Sequence, residues 1–171
     1  MKNRVRHGIG KVVVTTVIIV VAAAVYFIFI KSSDQYKIPP TIATKLSFPV
    51  LFLKNPTTVY RLDNTSIKYT SEPDGSKVFI FVVYSQKNRI TISEQAYPDV
   101  LIYDKLSNSI NPYSEVGTLY GKVTLGRPKD GGGRQAAVDN YTNSTLIFAQ
   151  PTSDLGDADW QQLFNNLDLV K

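Results

Sequence analysis

Residues 77–95 read KVFIFVVYSQKNRITISEQ. The first eight are apolar on both alternating faces, as in a central strand covered on each side. Ser85 to Asn88 form a polar loop of four residues. From Arg89 to Gln95 the period is two, with Ile90 and Ile92 inward and Arg89, Thr91 and Ser93 outward. The two runs predict a β-hairpin.

Outward from the hairpin the strand signals continue. Glu72-Pro73-Asp74-Gly75 is a turn sequence, and Ile67 to Ser71 before it predicts a short strand. Leu46, Phe48, Val50 and Phe52 alternate, predicting a first strand that Pro49 makes an edge or irregular one and Asn55-Pro56 ends. Downstream, Val100, Tyr103 and Leu106 allow a short helix closed by Asn111-Pro112. Thr118 to Leu125 predicts a strand with Leu119, Val123 and Leu125 on one face, and Gly121 marks a bulge or close approach. Gly126 to Gly133 (GRPKDGGG) reads as a loop. Arg134 to Asn140 and Ser144 to Gln150 read as strands about a Tyr141-Thr142-Asn143 turn. A C-terminal helix follows. Asp154, Asp157 and Asp159 suit the positive end of its dipole, and Trp160, Leu163, Phe164, Leu167 and Val170 form one apolar stripe. The expected class is α+β: an antiparallel sheet with an amphipathic C-terminal helix on one face.

Upstream of the sheet the chain changes character. Residues 12–30 (VVVTTVIIVVAAAVYFIFI) are nineteen residues without charge, Pro or Gly. As a helix they extend about 28 Å, close to the thickness of a hydrocarbon core. Lys2, Arg4, Arg6 and Lys11 precede them with no acidic residue. The positive-inside rule then leaves residues 1–11 as a cytoplasmic basic tail and the chain beyond the span outside. Residues 31–45, with Pro39 and Pro40, read as a juxtamembrane stalk, and residues 46–171 as one extracytoplasmic domain. The alternative is a cleaved signal peptide cut after Ala24, which leaves the apolar VYFIFI as a new N-terminus.

The formal charge of +5 and pI near 9.3 suggest nucleic acid at first sight. Four of the nineteen basic residues lie in the tail, however, leaving fifteen against fourteen acidic residues and about +1 for the outer part. The basic excess is a topology signal, and nucleic acid is not an expected partner. With no cysteine the chain has no disulfide, thiol catalysis or Cys-based zinc site.

Catalytic constellations are scarce. The single histidine, His7, lies in the basic tail, so the outer domain has no Ser-His-Asp set, and no Ser-x-x-Lys occurs. Glu94 and Asp99 straddle a predicted strand end, but nothing brings a second carboxylate to a working distance. Asp154, Asp157 and Asp159 do not follow the EF-hand spacing and read as helix-terminal charge. Gly131-Gly132-Gly133, flanked by Arg127, Lys129 and Arg134, lacks the Lys-Ser/Thr and following helix of a P-loop. Those three cations remain as an interaction loop. No cofactor is expected.

A basic tail, one span, a Pro-bearing stalk, Leu46-Ser47-Phe48-Pro49-Val50, Ile90-Thr91-Ile92-Ser93-Glu94-Gln95, Gly121-Lys122-Val123 and Thr145-Leu146-Ile147-Phe148 follow in order. In this outline the chain resembles small single-pass bacterial envelope proteins of unknown function. It is also similar to the extracytoplasmic β-rich domain of unknown function on some anti-sigma-factor-like proteins. The resemblance implies a location outside the membrane and a sheet plus helix, and it carries over no functional residue. Eleven residues before the span are too few for a sigma-binding domain.

The expectation is a non-enzymatic, membrane-anchored protein whose outer domain binds another protein or an envelope component. The alternative is a small-molecule or lipid carrier, its ligand held between sheet and helix near Phe79, Phe81 and Trp160. An enzyme of unfamiliar type is the third reading.

Overall fold

The hairpin is the centre of the sheet. In a computed structural model, which describes residues 35–55, 57–73, 75–96, 108–131, 135–139 and 145–170, β3 (Lys77–Tyr84) and β4 (Arg89–Ala96) pair antiparallel from Val78↔Gln95 to Tyr84↔Arg89. Around them lie β1 (Val50–Phe52), β2 (Arg61–Ser71), β5 (Ile110–Thr118), β6 (Gly121–Pro128), β7 (Ala136–Asp139), β8 (Thr145–Pro151) and β9 (Asp168–Val170). Among the described residues there are two helices, α1 (Pro40–Ala43) and α2 (Asp157–Asn165). Seven strands form one antiparallel sheet in the order β2-β3-β4-β8-β7-β6-β5, and β1 and β9 form a separate antiparallel pair. The architecture is mostly antiparallel β with few helices.

Alternation along the strands builds one large core. Phe79, Phe81 and Val83 of β3, Ile90 and Ile92 of β4, Ile147 and Ala149 of β8, and Val123 and Leu125 of β6 point to the same face. Trp160, Leu163 and Phe164 of α2 close over it, together with all three residues of β1. Phe52 packs against Phe81 and Phe79, with ring centroids 5.4 and 6.1 Å apart. Each such buried aromatic contributes roughly 2–3 kcal/mol by area alone. On the opposite face Ile110, Ala136 and Leu146 form a smaller cluster.

The fold departs from expectation where tertiary pairing overrides local pattern. The apolar stripe of the C-terminal helix does not run to Val170: α2 ends at Asn165, and Asp168–Val170 turns extended to pair with β1, Val50↔Val170 to Phe52↔Asp168. Leu46 and Phe48 pack on the core without joining a strand, and β1 is only three residues long. β2 is longer than expected, at eleven residues, and its register against β3 shifts between Asp63 and Lys68. There Asp63 Oδ1 accepts the Thr65 N–H at 3.0 Å, and Ser66 Oγ accepts the Val82 N–H at 2.7 Å.

Thr118 to Leu125 is not one strand. It contains a hairpin turn in which Gly121 takes φ +118°, a conformation costly for a residue with Cβ, and Leu119 is exposed at the tip. Asn111 and Pro112 do not stop a helix but lie in β5, an edge strand, where Pro is tolerated. The expected loop from Gly126 starts later, since β6 continues to Pro128.

The expected stalk also differs. From Tyr36 onward it belongs to the compact unit, Tyr36–Lys171. The Tyr36 N–H donates to the Lys54 carbonyl at 2.6 Å, and Tyr36, Ile38 and Ile42 pack against the core. Residues 1–34, including the expected span and tail, lie outside the described residues, as do Val100, Tyr103 and Leu106 of the expected short helix and the 141–143 turn. Among the described residues no helix is long and apolar enough to cross a membrane.

Candidate functional site

The predicted interaction loop is split by the fold. Arg127 lies in β6, where its Nη2 pairs with Asp154 Oδ2 at 2.5 Å, and both side chains are about half exposed. Lys129 is exposed in the following turn, and its N–H donates to the Ser109 carbonyl at 2.9 Å. Arg134, Gly132 and Gly133 lie outside the described residues.

Around Arg127 the structure gathers residues that the sequence did not single out. In β5 Pro112 pairs with Gly126 and Ser114 with Leu125, which leaves Tyr113 as the extra residue of a bulge. Gly126 permits the approach, because a Cβ there would meet Ile110 Cδ1 at 2.8 Å and the Asn111 carbonyl at 2.9 Å. The Tyr113 hydroxyl lies within electrostatic reach of Arg127, Asp154 and Asp157 and is hydrogen-bonded by Gln135. Burial raises the Tyr113 pKa, and Asp157 and Asp154 add to the rise, while Arg127 and a hydrogen bond from Gln135 oppose it. Ser114 Oγ donates to Asp157 Oδ2 at 3.0 Å.

Beneath this surface Gln135 is buried, and its Oε1 accepts both the Leu155 N–H at 2.7 Å and the Trp160 Nε1–H at 3.2 Å. One amide thereby satisfies the loop leading into α2 and the indole of its largest core residue. An unsatisfied buried donor costs about 1–3 kcal/mol, so Gln135 fixes the helix to the sheet.

The three aspartates expected at the helix start have separate tasks. Asp154 pairs with Arg127, Asp157 accepts from Ser114, and Asp159 Oδ2 accepts the Gly156 N–H at 3.3 Å. Among the described residues no group of three or more His, Cys, Asp or Glu is placed to hold a metal ion. Tyr60 is tied to the same helix: its hydroxyl donates to the Asp159 carbonyl at 3.0 Å, and burial, reinforced by the Asp159 charge, pushes its pKa up to about 12.

Glu94 was expected at a strand end beside Asp99, which lies outside the described residues. The structure buries Glu94 completely on the core face of β4, where its Oε2 accepts the Leu51 N–H at 2.8 Å. Buried Thr145 donates through Oγ1 to the Pro49 carbonyl at 2.7 Å. These two polar side chains fasten the β1 segment to the main sheet. A buried carboxylate needs such partners, since its desolvation alone costs several kcal/mol.

Phe79, Phe81 and Trp160, the residues expected to line a carrier's chamber, are all fully buried. Phe52 sits against the first two, and the Phe164 ring lies 6.4 Å from Trp160. What the Arg127 corner offers is a surface: an exposed phenol, a half-exposed guanidinium and the Lys129 ammonium beside two carboxylates. Tyr and Arg are enriched at protein interfaces, where a rigid ring and a planar donor serve recognition. The chain matches no protein-family model, no curated protein and no solved structure.

Proposed function

We propose that the chain is a single-pass membrane protein, anchored through residues 12–30 with its N-terminus in the cytoplasm. The outer domain binds a protein or polymer of the envelope and catalyses no reaction. The observation that carries this reading is the nineteen-residue uncharged run behind four cations, joined to a compact β-rich unit that starts at Tyr36. The Arg127 corner supports binding over chemistry, because its polar side chains engage one another at the surface around Tyr113, a geometry suited to recognition. The Phe52–Phe79–Phe81 cluster favours this reading over a carrier.

The test has two arms. A phosphatase fused after Lys171 is active only outside the cytoplasm, and the chain resists alkaline carbonate extraction. A fusion active only inside the cell, or hydrolysis of wall, ester or phosphate substrates by the purified full chain, overturns the proposal.

A further inference from the structure

The Arg127 corner carries one exposed ring in a polar frame. Tyr113 is 47% exposed, and its hydroxyl takes a hydrogen bond from Gln135, a buried side chain also bonded to Leu155 and Trp160. With the hydroxyl tied to a buried amide, the accessible part of the side chain is mostly ring. The bulge at Tyr113 and the close approach at Gly126 fix the backbone beneath it. Arg127 pairs with Asp154, and Asp157 accepts from Ser114 at 3.0 Å. These bonds order the polar groups before a ligand arrives, so little side-chain entropy is left to lose on binding. Both members of the ion pair are about half exposed, so each keeps part of its polar surface open to water.

Charge narrows the partner. Arg127 and Lys129 stand against the three exposed carboxylates of Asp130, Asp154 and Asp157, so among the described residues the corner is slightly negative. An anionic polymer finds no net attraction there. The apolar area is also small. The other exposed large hydrophobics among the described residues are Tyr84, Leu119 and Leu169. Tyr84 ends β3, with β4, β8 and β7 between it and β6. Leu119 lies in the turn at the opposite end of β5 and β6, and Leu169 belongs to the β1–β9 pair. A standard protein interface buries about 800 Å² on each partner around an apolar centre, which one ring does not supply.

A sugar ring matches this frame. Its C–H bonds present a weakly positive apolar face that stacks on the negative face of an aromatic ring. Its hydroxyls both donate and accept, so they use carboxylate and guanidinium partners together without bringing a charge. Resting on the reading of the outer domain as a binding domain, we infer that the Tyr113 corner binds a neutral polysaccharide. The Tyr113 ring stacks on a sugar face, and Arg127, Asp154 and Asp157 take its hydroxyls.

The full chain in detergent is passed over three neutral polymers, chitin, cellulose and mannan, and over anionic alginate. Retention on at least one neutral polymer is expected. Tyr113→Ala lowers it several-fold, Tyr113→Phe keeps most of it, and Tyr84→Ala leaves it unchanged. Trp160 emission confirms that each variant is folded, and Asp157→Asn replaces Tyr113→Ala if that variant fails the check. Four results overturn the inference: no retention on any neutral polymer, retention on alginate alone, retention unaltered in the Tyr113→Ala or Asp157→Asn chain, or a photo-reactive residue at position 113 that crosslinks in cells to protein and to no glycan. The phosphatase fusion after Lys171 and carbonate extraction are run on the same chains. Failure there refutes the membrane placement, whereas failure on the polymers with the placement intact refutes the polysaccharide alone.

Discussion

Phe52 gives the sharpest test of how the small β1–β9 pair is held on the sheet. β1 has only three residues and pairs only with β9 within the two-stranded sheet, so little backbone bonding keeps it in place. Its attachment rests on Phe52, 1% accessible and in contact with Phe79 and Phe81, and on the Leu51–Glu94 hydrogen bond. Phe52→Ala removes a buried ring and leaves a cavity between two aromatics that cannot collapse freely, which costs about 3–5 kcal/mol. The two aromatic contacts, each worth about 0.5–1.5 kcal/mol, place the loss in the upper half of that range. At roughly 3–4 °C per kcal/mol for a unit of this size, the melting temperature falls by about 12–20 °C. Trp160 is the only tryptophan and is fully buried, so its emission reports unfolding of this core directly. Leu169→Ala, on the neighbouring strand but exposed, serves as the control and shifts stability by no more than about 0.5 kcal/mol. A Phe52→Ala protein melting within about 3 °C of the parent by Trp160 emission would falsify the view that this ring holds the β1–β9 layer down.

Further expectations follow from the same contacts. Tyr60 has a folded pKa of about 12 against 10.0 for the free group, so its contribution is fully present below pH 10 and is lost as pH rises through 12. Denaturant titrations across that window should lose at most about 3 kcal/mol at this site, and Tyr60→Phe should flatten the decline. Gln135→Leu strands the Leu155 N–H and the Trp160 indole, at a cost of about 2–4 kcal/mol, and changes native Trp160 emission; unchanged emission and stability contradict the assigned bonds. Gly126→Ala drives a Cβ into Ile110 and the Asn111 carbonyl, and urea midpoints should record a loss of about 1–3 kcal/mol. Asp154→Ala breaks a half-exposed ion pair and should change stability by less than about 1 kcal/mol, so a large loss in the same titration would mean that the pair is structural.

Alternation made the centre of the sheet legible. Arg89–Ala96 forms where its period of two predicts, and Lys77–Tyr84 where a run apolar on both faces predicts a covered central strand. The same reading failed where short segments depend on distant partners. Leu167 and Val170 continue a helical stripe, yet Val170 is extended because β1 offers it a pairing edge and the helix stops at Asn165. Pro112 reads as a breaker, but it lies in an edge strand, where Pro is tolerated, next to the bulge at Tyr113. Of the candidate site, Arg127 and Lys129 were visible as charge beside glycine. Tyr113, Gln135 and the pairing with Asp154 were not, since no local signal marks residues that meet only through a bulge and a helix start.

By itself the sequence determined the β-rich character of the chain, its cysteine-free chemistry and the separation of an apolar, cation-flanked run from a nearly neutral remainder, because hydropathy period and charge placement are local properties. Only the tertiary structure decided that Glu94 and Thr145 turn inward to hold β1, that the would-be stalk docks from Tyr36, and that the last residues leave the helix for a strand. Each of these is an exchange of partners across the chain, where the stability gained depends on groups far apart in sequence and close only after folding.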